Sequence, residues 1–289
     1  MSGIRLIEVP YQLGNHLYNE GNGPPRILQA GAVAALEAAG QTVDKVTLRL
    51  PDDVVNHPAT SEVGRVFATA RLLAVMTRDA VLAGQTPVIL AGGCTSCWGT
   101  ISGIGTAGTG IVWLDAHGDL NSPSTSPGGF LDGMALGTAV GTSWEVVCRT
   151  IPGYGPVGLD RVLLVGAHQL DPSEEELLAR EPVLRSDGTE PEELAKQAGE
   201  LAARLGDGGG VYLHVDLDVL DTSVGKANVY ASAGGLTTKQ VVDGIEAIGR
   251  VLPIRAAALT ALNPEDDLSG GIADAAVEIL GAIGRTVEG

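Results

Sequence analysis

The sequence contains few cysteines and few basic residues, and each shortage excludes a class of protein. Its cysteines, Cys94, Cys97 and Cys148, are too few and odd in number for the disulfide framework of a small secreted domain. Lys and Arg number 18 against 35 Asp and Glu, which gives a net charge of −17. So acidic a chain is not expected to bind nucleic acid, because basic side chains bind the phosphate backbone.

A long apolar run is also missing. No segment resembles a signal peptide, and no apolar stretch is long enough to cross a bilayer. We therefore predict a cytoplasmic protein with no membrane as a partner.

Small and apolar residues are abundant instead. Aromatic residues make up only 3% of the chain, whereas 44% of it is hydrophobic and glycine contributes 41 residues. Short apolar runs alternate with segments of helical periodicity, which is typical of a parallel sheet with helices on both faces. We predict a single α/β domain over residues 1–289. Its predicted strands are 4–9, 44–50, 87–91, 110–114, 161–165, 182–185, 209–217 and 254–262.

Local signals also predict where helices begin and end. Pro24 and Pro25 open a helix that ends at Gly40, and Ser61 caps a long helix that closes at Gly84. Further helices are predicted at 172–180, 192–205 and 237–251, and one more after the last strand.

Three potential metal ligands follow the apolar segment 110–114. Asp115 and His117 are two residues apart, so in an extended chain they share a face, and the next turn brings Asp119 close. Carboxylates and imidazole are ligands of hard and borderline divalent ions. A single Asp or His at a strand end is more often a cap or turn residue, but three at this spacing favour a metal site.

A second acidic pair, Asp216 and Asp218, lies at the end of another predicted strand and shares a face for the same reason. In parallel sheets, ligands bind beyond the carboxyl ends of the strands, so both clusters are expected at one edge. Neighbouring carboxylates repel unless a cation or a proton intervenes. Together the clusters suit two ions roughly 3.5–4 Å apart that share carboxylates and a hydroxide.

Three segments resemble the signature blocks of the arginase/agmatinase (ureohydrolase) family. They are Asp-Ala-His-Gly-Asp-Leu-Asn at 115–121, Asp-Leu-Asp-Val-Leu-Asp at 216–221 and Gly-Gly-Leu-Thr at 234–237. The resemblance covers most of the chain and implies a three-layer α/β/α domain with a parallel eight-stranded sheet. It also implies two Mn²⁺ ions per chain, whose bridging hydroxide attacks the central carbon of a small guanidino or amidino substrate. Relatives form homo-oligomers, which we expect here too.

The resemblance assigns the metal ligands position by position. Asp115 and Asp216 match bridging carboxylates, and His117 and Asp218 match ligands of one ion. Asp119 matches a ligand of the other ion that also orients the hydroxide and relays its proton, which makes it a catalytic residue.

Cys94 stands where the family has a metal-binding His, in a Gly-Gly-Asp-His block that is Ala-Gly-Gly-Cys at 91–94 here. A thiolate can bind a divalent ion, so we predict that Cys94 is a metal ligand, although a free Cys is commonly just a small buried residue. Because sulfur is softer than Mn²⁺ prefers, another divalent ion is an alternative. Cys97 and Cys148 are interpreted as ordinary buried residues.

Asn121, Asp171 and Glu174 match family residues near the amino-acid end of the substrate, so we predict that they bind it. Asp171 and Glu174 also have the spacing of a helix start, and the two roles are compatible. Asp132 occupies the position of a His credited with proton transfer. A carboxylate there could transfer protons with a different pH dependence, or hold a guanidinium.

The family's guanidinium-binding Glu is replaced by Ala261, and Tyr230 stands where arginases have a small Thr. A buried guanidinium without its carboxylate loses roughly 3–5 kcal/mol, by analogy with a broken buried ion pair. We therefore expect poor hydrolysis of plain arginine. Asp132 or Glu265 could supply the missing charge, or the substrate could be a less basic, modified arginine.

The remaining histidines are weaker candidates. His214 shares the ligand face of its strand but lies one pair deeper, so it is predicted in the core or beside the ligands. His16 could edge the pocket or lie in solvent, and His168 could contact substrate or a neighbouring subunit. His57 is predicted at the surface.

Two functions fit these observations. The first is a metal-dependent hydrolase of linear C–N bonds in a guanidino or amidino compound, with Asp119 and Asp132 as catalytic residues. The alternative is a non-catalytic binding or assembly protein that keeps the fold and a metal. Five intact ligand positions favour the hydrolase, because a scaffold has no need of them.

Overall fold

The computed structural model describes residues 3–55 and 60–287, and along these ranges strands and helices alternate. His57, predicted at the surface, lies outside the described residues. The assignment of the whole chain, 1–289, to one domain stays a prediction. The strands are β1 Ile4–Val9, β2 Tyr11–Gln12, β3 Asn15–His16, β4 Val43–Thr47, β5 Thr86–Ala91, β6 Thr109–Leu114, β7 Val162–Val165, β8 Leu184–Ser186, β9 Gly210–Asp216 and β10 Ile254–Thr260.

The main sheet has the order β4-β1-β5-β10-β9-β6-β7-β8, and within the described residues all eight of its strands run parallel. The remaining strands, β2 and β3, form a small antiparallel hairpin. The strands β5, β10, β9 and β6 occupy the centre of the sheet, so their carboxyl ends meet at the middle of one edge. In open parallel sheets this edge is where ligands bind.

Helices cover both faces of the sheet. Consecutive strand residues point to opposite faces, so Leu6 and Ile7 of β1 belong to two different apolar cores. The predicted three-layer α/β/α fold with a parallel eight-stranded sheet is thereby confirmed. The helices are α1 Gly23–Ala30, α2 Ala32–Ala38, α3 Asp52–Val55, α4 Glu62–Leu82, α5 Ser96–Ile104, α6 Ala135–Ala139, α7 Glu145–Cys148, α8 Pro172–Leu178, α9 Pro191–Leu205, α10 Thr238–Gly249 and α11 Gly271–Thr286.

None of these helices, over the ranges that the structure describes, is long and apolar enough to cross a membrane.

Local helix signals were right at most ends and wrong in the first helical region. The Ser61 hydroxyl accepts a hydrogen bond from the Gly64 amide at 3.1 Å and so caps α4 as predicted. The single helix predicted from Pro24 to Gly40 is instead two helices, because Gly31 adopts a φ of 122° between them. Glycine has no Cβ and takes this conformation readily, so it can end one helix and begin another.

The sequence patterns missed α5, which follows β5. From Ser96 to Gly103 every residue of this helix is buried, so it lacks the polar face by which an amphipathic helix is identified. It packs closely on α4, because a Cβ at Gly99 would lie 2.6 Å from the carbonyl oxygen of Ala70 and 2.8 Å from the Cβ of Leu73. The close crossing of α4 and α5 therefore depends on glycine.

We predict that Gly99→Ala lowers the free energy of unfolding by about 1–3 kcal/mol, the usual effect of overpacking. Gly199→Ala is the matched control, since it lies inside helix α9 and a Cβ there would meet no atom within 4 Å. Helix propensity favours alanine at both positions by up to about 1 kcal/mol, so the control should be stabilised. Chemical denaturation measures the free energy of unfolding of both variants. Equal changes in the two would contradict the close crossing of α4 and α5.

Candidate active site

A cavity of about 220 Å³ opens at the carboxyl edge of the central strands. Among the described residues that line it, acidic side chains dominate and none is a lysine or an arginine. All ten residues of the site predicted from the sequence line this cavity. The eight acidic residues of the lining are Glu20, Asp115, Asp119, Asp132, Asp171, Glu174, Asp216 and Asp218.

The end of β6 supplies Asp115 and His117. The Trp113 indole donates a hydrogen bond to Oδ2 of Asp115 at 3.0 Å, and the backbone amide of His117 donates to its Oδ1 at 2.7 Å. The His117 Nδ1 lies 3.3 Å from Asp115 Oδ1 and 3.4 Å from Asp218 Oδ2. The imidazole thus contacts one carboxylate after β6 and one after β9.

The end of β9 supplies Asp216 and Asp218. Asp216 begins a short turn in which its Oδ1 accepts the backbone amide of Asp218 at 2.8 Å. The Asn228 amide group donates to Asp218 Oδ2 at 3.3 Å and to the carbonyl oxygen of Ala261 at 3.0 Å. Backbone and amide donors therefore fix both carboxylates before any ligand binds.

Asp119 follows the turn after β6. Its φ of 50° lies in the left-handed region, which few residues other than glycine adopt. Its Oδ2 is buried and has no hydrogen-bond partner in the part of the chain that the structure describes. A buried carboxylate oxygen without a partner is costly, which points to a ligand at this place.

We call Asp115, Asp119, Asp216 and Asp218 the carboxylate cluster. Burial raises the pKa of Asp115 to about 7, and Asp218 adds to the shift. Burial and then neighbouring carboxylates raise the pKa values of Asp119 and Asp216 well above their usual range. Burial lowers the pKa of His117, but hydrogen bonds to Asp115 and Asp218 outweigh it and raise this pKa to about 12. A single imidazolium cannot neutralise four carboxylates, so the residues fit divalent cations.

Cys94 lies against the carboxylate cluster, where the sequence places it. Its thiol donates to Asp216 Oδ2 at 2.9 Å, and its Sγ lies 3.4 Å from the Thr260 hydroxyl. Burial, followed by the charges of the carboxylates, raises the pKa of this thiol well above its usual value. Without a cation the thiol therefore keeps its proton.

Two groups of ligand atoms are each close enough to hold one ion, with the atoms of a group within 4.8 Å of one another. The deep position consists of Cys94, Asp115, His214 and Asp216, all buried. The outer position consists of Asp115, His117 and Asp218, and the side chain of His117 is 29% exposed. Asp115 belongs to both positions, as expected of a bridging ligand.

His214 is buried, as predicted, but the sequence did not predict that it lies among the deep ligand atoms. Its position two residues before Asp216 on β9 is the signal that could have indicated it. Its ring stacks on Trp113 with centroids 3.6 Å apart, and its Nδ1 lies 2.8 Å from the Tyr212 hydroxyl. Burial lowers its pKa to about 3, so the imidazole is neutral.

The predicted substrate-binding residues Asn121, Asp171 and Glu174 form one hydrogen-bonded set. The Asn121 amide donates to Asp171 Oδ2 at 2.7 Å. Glu174 accepts the backbone amides of Leu120 at 2.8 Å and of Asp171 at 2.9 Å, and it completes a capping box at the start of α8. All three residues line the cavity, and Glu174 also holds the loop that carries Asp119, through its hydrogen bond to the Leu120 amide.

Asp132 lies on the cavity wall and is held by two donors. The side chain of Gln12 donates to its Oδ2 at 2.9 Å, and the backbone amide of Thr95 donates to its Oδ1 at 3.0 Å. Burial raises its pKa, and these hydrogen bonds oppose the shift. A Cβ at Gly93 would lie 2.6 Å from one Asp132 oxygen and 2.7 Å from the other, so glycine at 93 makes room for this carboxylate.

Glu20 is a cavity residue that the sequence analysis missed. It is 7% exposed and lies in a short 3-10 turn, Asn19–Asn22. Its neighbour Gly21 is pressed against Gly92, since a Cβ on Gly92 would lie 2.9 Å from the Gly21 Cα. The backbone amide of Ala261 donates to the Gly92 carbonyl at 3.1 Å, so the turn that carries Glu20 and the backbone of Ala261 both adjoin Gly92, and both residues line the cavity.

Two aromatic rings complete the cavity wall, whereas two residues that the sequence suggested as substrate contacts lie outside it. The half-exposed ring of Tyr230 lies 5.3 Å from the ring of Phe130, and both line the cavity. His168 is exposed and bonds to the Gly166 carbonyl and the Ser232 hydroxyl outside the lining. Glu265, the other sequence candidate for the missing charge, is exposed and does not line the cavity.

Comparisons with known proteins agree with this arrangement. The sequence profile described as "Arginase family" matches residues 2–284. An arginase of Brevibacillus brevis is 30% identical over 97% of this chain and 97% of its own length. An arginase of Bacillus caldovelox is 28% identical over 98% of each chain. The crystal structure of the arginase from Bacillus subtilis superimposes with a TM-score of 0.84 at 26% identity, over 98% of each chain.

We predict that metal binding releases protons and tightens as the pH rises. The pKa of Asp115 is about 7 and that of His117 about 12, so both hold protons at or below neutral pH and must lose them to bind an ion. The affinity for Mn²⁺ or Zn²⁺ should rise about tenfold per pH unit for each proton released. Calorimetry in buffers of different ionisation enthalpy counts these protons.

His117→Asn should lower the proton count by about one, because it removes a protonated ligand. His168→Gln is the matched control and should leave the count unchanged, since this histidine lies outside the cavity lining. Binding whose affinity does not vary with pH would contradict the charge distribution derived for the cluster.

Proposed function

Because the chain belongs to the arginase family, we propose that it hydrolyses a linear C–N bond of a cationic guanidino or amidino compound, using two divalent metal ions. Membership confirms the predicted class of enzyme, an arginase-family amidinohydrolase. The substrate, the number of ions and their identity as Mn²⁺ belong to the proposal. So do a cytoplasmic location and assembly into a homo-oligomer.

One observation carries the proposal: eight carboxylates line a small cavity whose described lining contains no lysine or arginine. Carboxylates so close together and so buried require positive charge. Metal ions bound at the carboxylate cluster would neutralise four of these eight carboxylates. The other four, which include Glu20 and Asp132, favour a substrate that is itself a cation.

The ligand residues fit a two-ion site. Asp115 is shared by both groups of ligand atoms, and the other carboxylates of the cluster, His117 and Cys94 surround it. Two divalent ions bound there would supply hydroxide near neutral pH by lowering the pKa of water. The unpartnered Oδ2 of Asp119 would accept a hydrogen bond from this nucleophile and orient it.

The rest of the reaction needs a proton carrier and substrate contacts. Hydrolysis forms a C–O bond at the central carbon, breaks a C–N bond and leaves an amine that takes up a proton from water. Asp132, buried at the wall with a raised pKa, is our candidate to deliver that proton. Asn121 and Asp171, paired at 2.7 Å, would bind the far end of the substrate.

In our proposal, Glu20 supplies the guanidinium-binding carboxylate that the resemblance to the family leads one to expect at position 261, where this chain has Ala261. Burial raises the pKa of Glu20, and the charge of Asp132 adds to the shift. A guanidinium or amidinium between these two acids would offset that repulsion and form charge-assisted hydrogen bonds. The substrate cation is thus held from the N-terminal loop rather than from the end of β10.

The test of function is a panel of guanidino, amidino and ureido compounds, with release of urea, amide or amine as the readout. The protein is stripped of metal and then loaded with Mn²⁺, Zn²⁺ or both. Turnover that requires metal and is confined to cationic compounds supports the proposal. Silence across the panel from fully loaded protein would favour the alternative, a non-catalytic binding protein.

We predict that Glu20→Gln lowers kcat/KM for a cationic substrate by about 10²-fold or more, because a broken buried ion pair costs about 3–5 kcal/mol. Glu265→Gln is the matched control and should keep full activity, since this carboxylate is exposed. Metal content should be unchanged in both variants. If only Glu265→Gln lost activity, the role given to Glu20 would be wrong.

A further inference from the structure

The deep position differs from the outer one in the kind of atoms it offers. Cys94 contributes sulfur, His214 nitrogen, and Asp115 and Asp216 oxygen, and these atoms all lie within 4.8 Å of one another. Ligands of a tetrahedral zinc ion lie about 2.0–2.3 Å from the metal, which places any two of them roughly 3.3–3.8 Å apart. Small movements would therefore gather all four around one ion.

The His214 ring has the surroundings of a metal ligand. Its Nδ1 lies 2.8 Å from the Tyr212 hydroxyl, and metal-binding histidines usually donate their other ring N–H to such a partner. Its Nε2 lies 3.3 Å from the Thr260 hydroxyl, which is itself 3.4 Å from Cys94 Sγ. Stacking on Trp113 at 3.6 Å fixes the plane of the ring.

A core histidine without a ligand role is the simpler alternative. In that case Tyr212 would donate to Nδ1, and Nε2–H would donate to the Thr260 hydroxyl. The hydrogen bonds alone allow either tautomer. What distinguishes the two is that a nitrogen of this ring lies within 4.8 Å of the Cys94 thiol and of a carboxylate oxygen of both Asp115 and Asp216.

We propose that Cys94, Asp115, His214 and Asp216 form a four-ligand site that binds Zn²⁺ in preference to Mn²⁺, so that the two ions of the cavity differ. This inference rests on the proposed two-ion site. Sulfur and imidazole suit Zn²⁺, which is commonly bound by Cys and His in tetrahedral geometry. Mn²⁺ prefers oxygen ligands and lies at the weak end of the divalent series.

The ligand atoms of the outer position are harder than those of the deep position, because they include no sulfur. It offers Asp115, His117 and Asp218, one nitrogen and otherwise oxygen, and it lies nearer the solvent, since the side chain of His117 is 29% exposed. Such a set suits Mn²⁺ as well as Zn²⁺. The cavity therefore sorts ions by depth, with the softer ion below and the harder one nearer the solvent.

Cobalt substitution tests the deep site directly. Protein stripped of metal and given one equivalent of Co²⁺ should show a sulfur-to-cobalt charge-transfer band in the near ultraviolet and the intense visible bands of a four-coordinate ion. Cys94→Ser should lose the charge-transfer band. His214→Gln should keep that band, change the visible bands and lower Zn²⁺ affinity by more than about 100-fold, which exceeds the usual effect of changing a residue that only supports a ligand.

His168→Gln is the matched control and should leave every spectrum unchanged. Because His214 is fully buried, its replacement could unfold the protein, so X-ray absorption of wild-type protein with one equivalent of Zn²⁺ provides a second measurement. It should show one sulfur near about 2.3 Å and imidazole nitrogen at about 2.0–2.1 Å. In direct competition at equal concentrations, the first equivalent taken up should be Zn²⁺.

Several outcomes would overturn the inference. They are oxygen ligands only, sulfur without imidazole, or preferential uptake of Mn²⁺ as the first ion. None of these measurements depends on turnover. If the substrate panel stays silent while the sulfur and imidazole signals appear, the proposed function fails and the deep site stands. If the panel shows turnover and the signals are absent, the reverse holds.

Discussion

Mutual repulsion among buried carboxylates is the constraint on which the rest of this structure depends. Four of them meet in the carboxylate cluster, and among the residues that the structure describes only His117 forms an ion pair with more than one of them. The raised pKa values of Asp115, Asp119 and Asp216 express the same fact. A fold that holds such a cluster rigid keeps a high affinity for cations, because the repulsion disappears when they bind.

The order of the strands brings this cluster together. Thr260 of β10 pairs with Asp216 of β9, and β6 lies on the other side of β9. Residues that are neighbours at the carboxyl edge of the sheet are thus far apart in the sequence. Cys94 and Asp216, for example, are separated by 122 positions. The two apolar cores on either face hold the strands in register, so the geometry of the cluster depends on packing distributed over the whole sheet.

Much of the fold and two pairs of candidate metal ligands could be predicted because their signals are local. The strand at β6 and the pairs Asp115–His117 and Asp216–Asp218 depend only on the period of two along a strand. Glu20 could not be predicted in this way, because its burial arises where an irregular N-terminal turn meets Gly92. The helix α5 was missed because burial on all sides removes its periodic pattern.

The close approach of Gly93 to Asp132 restricts which residue position 93 can hold. Both oxygens of Asp132 already accept hydrogen bonds, from the Gln12 side chain and from the Thr95 amide. Any Cβ at 93 would crowd both oxygens of Asp132. Position 93 is therefore restricted to glycine for as long as position 132 carries this carboxylate.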